Sequence, residues 1–319
     1  MNAPGTRLRI ATRRSPLAMW QAEHVAALLR AAHPGVEVEL VGLSTEGDRR
    51  LDVPLSEIGG KGVFATEVQA ALLDGRADLA VHSAKDLPAV TAPGLVLAAV
   101  PERGDARDAL VGARLDALSP GAVVATGSAR RRALLARARP DLRFQELRGN
   151  MATRLARVGD DDVDAIVVAS IAFDRLGLTE HLSERLDPSE FVPQVAQAAL
   201  AIECRSDAAE VVALVASLEH APSRTAVDAE RAFLAELGGD CSLPAGAHAV
   251  LHDDGTLSLD VVLADEVGGR VVQLQRSGRD GAELGRAAAI EARDQLGATD
   301  GNTTTDDGAP TDDRAGQRP

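Results

Sequence analysis

LRIATRRSPLAMWQAEHVAALLRAAHPGVEVEL, residues 8–40, decides the fold class. Its first five residues read as a short buried strand. Ser15 and Pro16 then supply an N-cap and an N1 proline, and Leu17, Trp20, Val25, Leu28 and Leu29 face inward up to a stop at His33-Pro34-Gly35. Val36, Val38 and Leu40 alternate with acidic residues, as a half-buried strand does. This β-α-β spacing suits a parallel crossover, so the chain is α/β and not all-α.

Outward from that unit the alternation continues. Residues 64–73 have helical periodicity, and 77–82 and 95–100 read as strands. A second cycle starts at Gly121, with strands predicted over 122–125, 142–147 and 165–169 and helices over 129–138 and 151–158. Two similar α/β lobes are implied. After Pro193, helices are predicted near 194–204, 208–218 and 223–237, the last stopped by Gly238-Gly239. The pattern then changes: Asp254-Gly255 and Gly268-Gly269 separate alternating strands over 246–251, 257–263 and 270–276, before a helix at 282–296. That is a small α+β third domain.

A chain of 319 residues and 33.2 kDa is long for one domain, and 45% hydrophobic with 26% charged residues suits a globular chain with a full core. The net charge of −14 argues against a surface that seeks nucleic acid or anionic lipid throughout. No apolar h-region opens the chain and no apolar run approaches bilayer length, so the expectation is a cytoplasmic protein without a membrane segment. Cys204 and Cys241, without CxxC spacing, are too few for a disulfide framework or a zinc site, and no metal is expected. Of the 34 basic residues only Lys61 and Lys85 are lysine, which marks both as candidates for required chemistry.

One segment opposes the overall charge. Arg130 to Arg157 holds nine arginines against Asp141 and Glu146, a local +7, so an anion belongs there. Arg130 and Arg131 follow Thr126-Gly127-Ser128 where a strand opens into a helix, and Arg148 and Arg154 flank a second such turn, LRGNMATR. Helix N-termini with forked guanidinium donors suit carboxylates or phosphates. Arg132, Arg137 and Arg139 read as a solvated helix face. Aromatic residues are 2% of the chain with no Tyr, which leaves few stacking platforms and disfavours nucleic acid as the anion.

IGGKGVF around Lys61 lacks Walker spacing and reads as a flexible loop carrying one ammonium. In VHSAKDLP a strand runs into His82, Lys85 and Asp86, and strand carboxyl ends face the ligand crevice in α/β folds. An acid beside a lysine there could move a proton, hold a developing cation, or form a structural salt bridge. His82 reads as a satisfied strand-end histidine. Cys204, in ALAIECR, reads as a small core residue on an apolar helix. Cys241 follows the helix stop on a loop, where a thiol without a His or Asn partner suits attachment better than turnover.

Together RIATRRSPLAMWQA, IGGKGVF, DLAVHSAKDLP, TGSARR, LRGNMATR, IECR and GGDCSLPAG, in this order, resemble the porphobilinogen deaminase (hydroxymethylbilane synthase) family over nearly the whole chain before the tail. The resemblance implies two type II periplasmic-binding-protein-like lobes plus a small α+β C-terminal domain. In that organisation residues 1–101 and 199–218 form the first lobe, 105–194 the second, 221–297 the third domain, and 298–319 a disordered tail. It also implies a transferase of tetrapyrrole (heme) biosynthesis that joins four porphobilinogen molecules head to tail, with loss of ammonia, into hydroxymethylbilane. A dipyrromethane cofactor linked through Cys241 is implied, with a monomer as the expected state and no nucleic-acid or membrane partner. A non-catalytic binder of a small polycarboxylate is the alternative for this fold, and the presence of Cys241 argues against it.

By the same resemblance Asp86 matches the catalytic carboxylate, which stabilises the azafulvenium cation left when the amine departs. Lys85, Thr126, Ser128, Arg130, Arg131 and Arg154 match cofactor contacts. Arg13, Ser15, Arg148, Arg175, Lys61, Phe64 and Gln197 match residues that bind substrate or cover the cleft. The chain departs from the family pattern at Asp240, where a glycine usually precedes the cysteine, and at Ala196 and Ala198, which replace the glycines of a VGQG turn. Further departures are Ala172-Phe173 for Gly-Leu, Gly127 for Ser, Ala152 for Gly, and Glu57 where some members carry a lysine.

Overall fold

The computed structural model describes residues 6–45, 65–238, 243–265 and 269–298. Strand β1 (Arg7–Arg13) leads into helix α1 (Pro16–Ala32), which starts where Ser15 Oγ accepts a hydrogen bond from Ala18 N at 3.3 Å. Its Ala22, Val25, Ala26 and Leu29 are buried against Leu8, Ile10, Leu79 and Ile202. Strand β2 (Glu37–Leu43) then pairs in parallel with β1, from Arg7 opposite Glu37 to Arg13 opposite Leu43.

Helix α2 (Thr66–Leu73), β3 (Leu79–Ser83) and β4 (Leu95–Ala99) continue the first lobe, and β5 (Asp108–Val111) enters the second. There follow β6 (Val123–Ala125), α3 (Ala129–Ala138), β7 (Arg143–Gln145), α4 (Met151–Ala156), β8 (Ala165–Ala169), α5 (Ser170–Leu176) and β9 (Leu182–Arg185). The chain returns to the first lobe through β10 (Leu200–Arg205) and α6 (Ala209–Val215). The two five-stranded sheets have the orders β2-β1-β3-β10-β4 and β7-β6-β8-β5-β9. In each, one strand runs antiparallel to its neighbours, β10 in the first and β5 in the second. The two segments joining the lobes therefore pass side by side, and the site is built around them.

Helix α7 (Ala221–Glu236), strands β11 (Ala245–Leu251), β12 (Leu257–Ala264) and β13 (Val271–Gly278), and α8 (Gly281–Ala298) form the third domain around an antiparallel sheet. Its core, with Phe233, Leu257, Leu259 and Ala288, merges with Leu97, Val100 and Ala196. The helices cross closely at Gly285, where a Cβ would lie 2.3 Å from Ala229 O. Among the described residues no helix is long and apolar enough to cross a membrane.

The predicted helix over 194–204 is a correction. Residues 200–205 are β10, paired on both sides, and Cys204 lies in this strand, fully buried. A central strand covered on both faces presents a continuous apolar run, which periodicity cannot tell from a buried helix. Strands β5 and β9 and helix α5, four, four and seven residues long, are additions to the elements expected from the sequence. Helix α4 ends at Ala156, two residues before its predicted end.

Candidate active site

The carboxyl ends of β1 and β3 carry the first lobe's contribution. Strand β3 ends in a single 3-10 turn, Ala84–Asp86, held by Ala84 N donating to Ala199 O at 3.0 Å. Gln21 Nε2 on α1 donates to Ser83 Oγ at 2.9 Å, which fixes the turn to the helix. Asp86 keeps 30% of its side chain exposed, and Arg13 at the end of β1 brings Nη1 to 4.0 Å from its Oδ2. Ser15 uses its hydroxyl as the α1 cap. His82 is buried, with Nε2 3.1 Å from Oε2 of the also buried Glu203.

In the second lobe the buried Thr126 follows β6, and its Oγ1 accepts from Ser128 N at 3.2 Å. Ser128 Oγ in turn accepts from Arg131 N at 3.4 Å, which caps α3 and places Arg130 and Arg131 in its first turn. Both guanidinium groups turn inward. Arg130 Nη2 donates to Asp108 Oδ2 at 2.7 Å and its Nη1 to Val192 O at 2.5 Å. Arg131 Nη2 donates to Asp108 Oδ1 at 2.8 Å and its Nη1 to Val167 O at 3.2 Å.

Asp108 is the residue that sequence reasoning missed. It is 1% exposed, and although burial alone would raise its pKa, Arg130 and Arg131, with hydrogen bonds from Arg131 and Gln197, hold the carboxyl well below the usual range. A lone acid opening an apolar strand, DALV, was the available signal, since a buried carboxylate requires cationic or hydrogen-bonding partners.

Gln197 lies fully buried between the lobes. Its Nε2 donates to Asp108 Oδ1 at 2.8 Å and Ala106 O at 2.7 Å, and its Oε1 accepts from Lys85 Nζ at 3.2 Å and Arg131 Nη2 at 3.4 Å. The flanking Ala196 and Ala198 have φ of 57° and 70°, so both alanines hold the left-handed backbone that glycine adopts without strain. The turn keeps its shape at the cost of local strain.

The electrostatics identify what this seam attracts. Burial, then Arg131 and Arg154, lower the Lys85 ammonium to about 8 against the opposing pull of Asp86 and Asp108. Burial and Arg131 likewise lower Arg154 to about 10, with Asp86 opposing. Arg154 reaches the seam from α4, where Nε donates to Gly149 O at 2.9 Å and Gly149 takes a φ of 99° that a side chain would strain. Arg148, on the turn before α4, adds a further charge close enough to depress Arg154. Since α4 has only six residues, attraction here comes from guanidinium charge and owes little to a helix dipole.

Arg175 lies on α5, buried, with Nη2 donating to Ala198 O at 2.6 Å and its guanidinium over the Trp20 ring. Lys61, Phe64 and Cys241 lie outside the described residues. The predicted solvated face holds for Arg132, which makes an exposed 3.6 Å pair with Glu146, and for the exposed Arg137, while Arg139 is half-buried. Arg137 Nη2 donates to Glu190 O at 3.2 Å and Gln273 Oε1 at 2.5 Å, bridging to the third domain. Arg139 donates to Leu115 O and Leu118 O as well as to Asp141.

A polycarboxylate group fits this arrangement. Arg131 lies close enough to Lys85 and Arg154 to destabilise the charge of both, and Arg154 adds to the effect on Lys85, so added carboxylates would relieve the crowding. Arg131 Nε is also buried without a hydrogen-bond partner among the described residues.

The family described as porphobilinogen deaminase, dipyromethane cofactor binding domain matches residues 8–213, and that described as porphobilinogen deaminase, C-terminal domain matches 224–294. The porphobilinogen deaminase of Nitratidesulfovibrio vulgaris is 47% identical over 296 residues, covering 91% of this chain and 93% of that one. That of Chromobacterium violaceum is 50% identical over 88% of this chain and 92% of its own. Among solved structures, the methionine binding protein MetQ superposes with a TM-score of 0.43 at 14% identity, covering 66% of this chain and 89% of that one.

Proposed function

The chain belongs to the porphobilinogen deaminase family, transferases that use a dipyrromethane cofactor to build the linear tetrapyrrole hydroxymethylbilane, and we propose that its reaction centre is the seam around Asp86. The observation that carries this assignment is the partly exposed carboxylate of Asp86 set among Arg13, Lys85 and Arg154 at the carboxyl end of β3.

Each porphobilinogen brings an acetate and a propionate. Lys85, Arg131, Arg154 and Arg13 bind these carboxylates, in pairs stronger than neutral hydrogen bonds. Bound this way, the aminomethyl group faces Asp86. As the C–N bond breaks and ammonia leaves, positive charge spreads over the pyrrole and its methylene carbon, and the fixed carboxylate offsets it. Asp86 then accepts or relays the pyrrole proton released when the new C–C bond forms. Dipyrromethane, when bound, supplies the terminal pyrrole carbon for the first addition, and Cys241 is the residue assigned to hold it. The same reading makes the protein a cytoplasmic monomer that acts on a small molecule.

Incubation of the purified protein with porphobilinogen tests the assignment. Four ammonia released per hydroxymethylbilane is the expected result. Tight binding of porphobilinogen without ammonia release would contradict it.

A further inference from the structure

We propose that Asp108 is a positioning residue for this reaction, one that fixes the Arg131 guanidinium directly and the Lys85 ammonium through the side-chain amide of Gln197. The inference rests on the family reading above and adds a residue to its machinery.

Asp108 Oδ1 receives two donors, Arg131 Nη2 at 2.8 Å and Gln197 Nε2 at 2.8 Å. A carboxylate only accepts, so it dictates which way the amide faces. With Nε2 committed to Asp108 and to Ala106 O, Gln197 must direct Oε1 toward Lys85 Nζ, 3.2 Å away. A flipped amide would set an N–H against an ammonium and an oxygen against a carboxylate. One buried acid thereby sets two cations on opposite walls of the seam, Arg131 from α3 and Lys85 from the turn after β3. Its Oδ2 holds Arg130 at 2.7 Å, which anchors the acid.

The charge of Asp108 also acts on Lys85 across space. Burial, Arg131 and Arg154 destabilise the ammonium, whereas Asp86 in its own turn and Asp108 from β5 stabilise it, and Arg13 from β1 faces Asp86. Loss of the Asp108 charge removes one of two stabilising anions. Lys85 would then lose its proton at lower pH and stop holding a substrate carboxylate sooner as pH rises.

The test compares cofactor-loaded wild type and Asp108→Asn, with thermal unfolding recorded for both. Porphobilinogen turnover by wild type is the control for the family reading itself. The expected result for a folded Asp108→Asn is a KM raised by roughly tenfold to a hundredfold, the scale of lost charge-assisted hydrogen bonds. A smaller change in kcat, and a kcat/KM profile whose alkaline limb moves to lower pH, complete the expectation. Gln197→Met keeps the Asp108 ion pairs but lacks both amide groups, and the same alkaline displacement is expected. If Asp108→Asn does not fold, Gln197→Met decides. An active wild type with an unmoved alkaline limb in the folded variants, or failure of both variants to fold, would assign the network to stability alone and overturn the proposal.

Discussion

The guanidinium carbon of Arg175, on α5 of the second lobe, lies 5.6 Å from the ring centroid of Trp20, on α1 of the first. Its Nη2 also donates to Ala198 O at 2.6 Å, on the segment returning between the lobes. The resemblance matched Arg175 to a substrate contact. Its position supports an additional task as a clamp across the lobe junction, with burial lowering its pKa to about 10, so that it stays charged at neutral pH.

Arg175→Ala removes the ring contact and leaves a buried carbonyl without its donor. The combined loss should be about 2–4 kcal/mol of stability. Denaturant unfolding measures this, and since Trp20 is the only tryptophan, its emission maximum should move in the folded variant.

Arg130, Arg131 and Arg132 are adjacent in sequence and should differ in effect. Arg130→Leu and Arg131→Leu each strip Asp108 of one partner, which should cost about 3–5 kcal/mol. Arg131 also sits beside Lys85 and Arg154 as a cation for substrate carboxylates, so Arg131→Leu should lose more substrate affinity than stability alone explains, even though Lys85 holds its proton more firmly without it. Arg132→Leu, at an exposed pair, should change stability by under about 1 kcal/mol. Denaturant melts and KM values on loaded enzyme separate the three.

Acid should weaken the Asp108 network. Its folded pKa lies below the unfolded value, so its stabilisation is fully present above the ordinary aspartate pKa of 3.8 and is lost as pH falls through the folded value. Unfolding free energy measured between pH 5 and pH 2 should fall in wild type, and a folded Asp108→Asn should start lower and lose less.

Cys204 should be inert. Burial, then the Glu203 carboxylate, pushes its thiol up to about 12, and it is fully enclosed within β10. Native alkylation at pH 8 should leave Cys204 unmodified, and peptide mapping of the cofactor-loaded chain should place the adduct on Cys241. An adduct on Cys204 would refute the assignment.

The left-handed alanines give a test in which small terms compete. At Ala196, reverting to glycine relieves about 1–2 kcal/mol of backbone strain. It forfeits about 0.5–1 kcal/mol of unfolded-chain entropy and about 0.8 kcal/mol for a buried methyl. Ala196→Gly should therefore lie within about 1 kcal/mol of wild type, whereas Ala196→Val, β-branched at positive φ, should be destabilised by clearly more than Ala196→Gly, as equilibrium melts would show.

The sequence made legible whatever is locally determined. Ser15-Pro16 announces α1 because capping and the N1 proline act within one turn, and the three alternating strands of the third domain are punctuated by their own glycines. β10 was misread because ALAIECR owes its strand conformation to partners more than a hundred residues away. The arginine-rich segment was legible as an anion site, but the division of labour among its members was not. Asp108 decides that division, and its pairing with Arg130 and Arg131 depends on β5 lying beside β8, a tertiary fact. The replacement of two glycines by Ala196 and Ala198 was visible in the sequence, and their positive φ only in the structure.

Single-turnover kinetics of cofactor-loaded Asp86→Asn test whether Asp86 offsets the cation formed as the amine leaves. The amide preserves size and one hydrogen-bond acceptor but carries no charge. Porphobilinogen should still bind, while the rate of ammonia release falls by about two to three powers of ten and the loss appears in kcat more than in KM. A loaded Asp86→Asn enzyme that releases ammonia at near the wild-type rate would reduce Asp86 to a structural partner of Arg13 and Lys85.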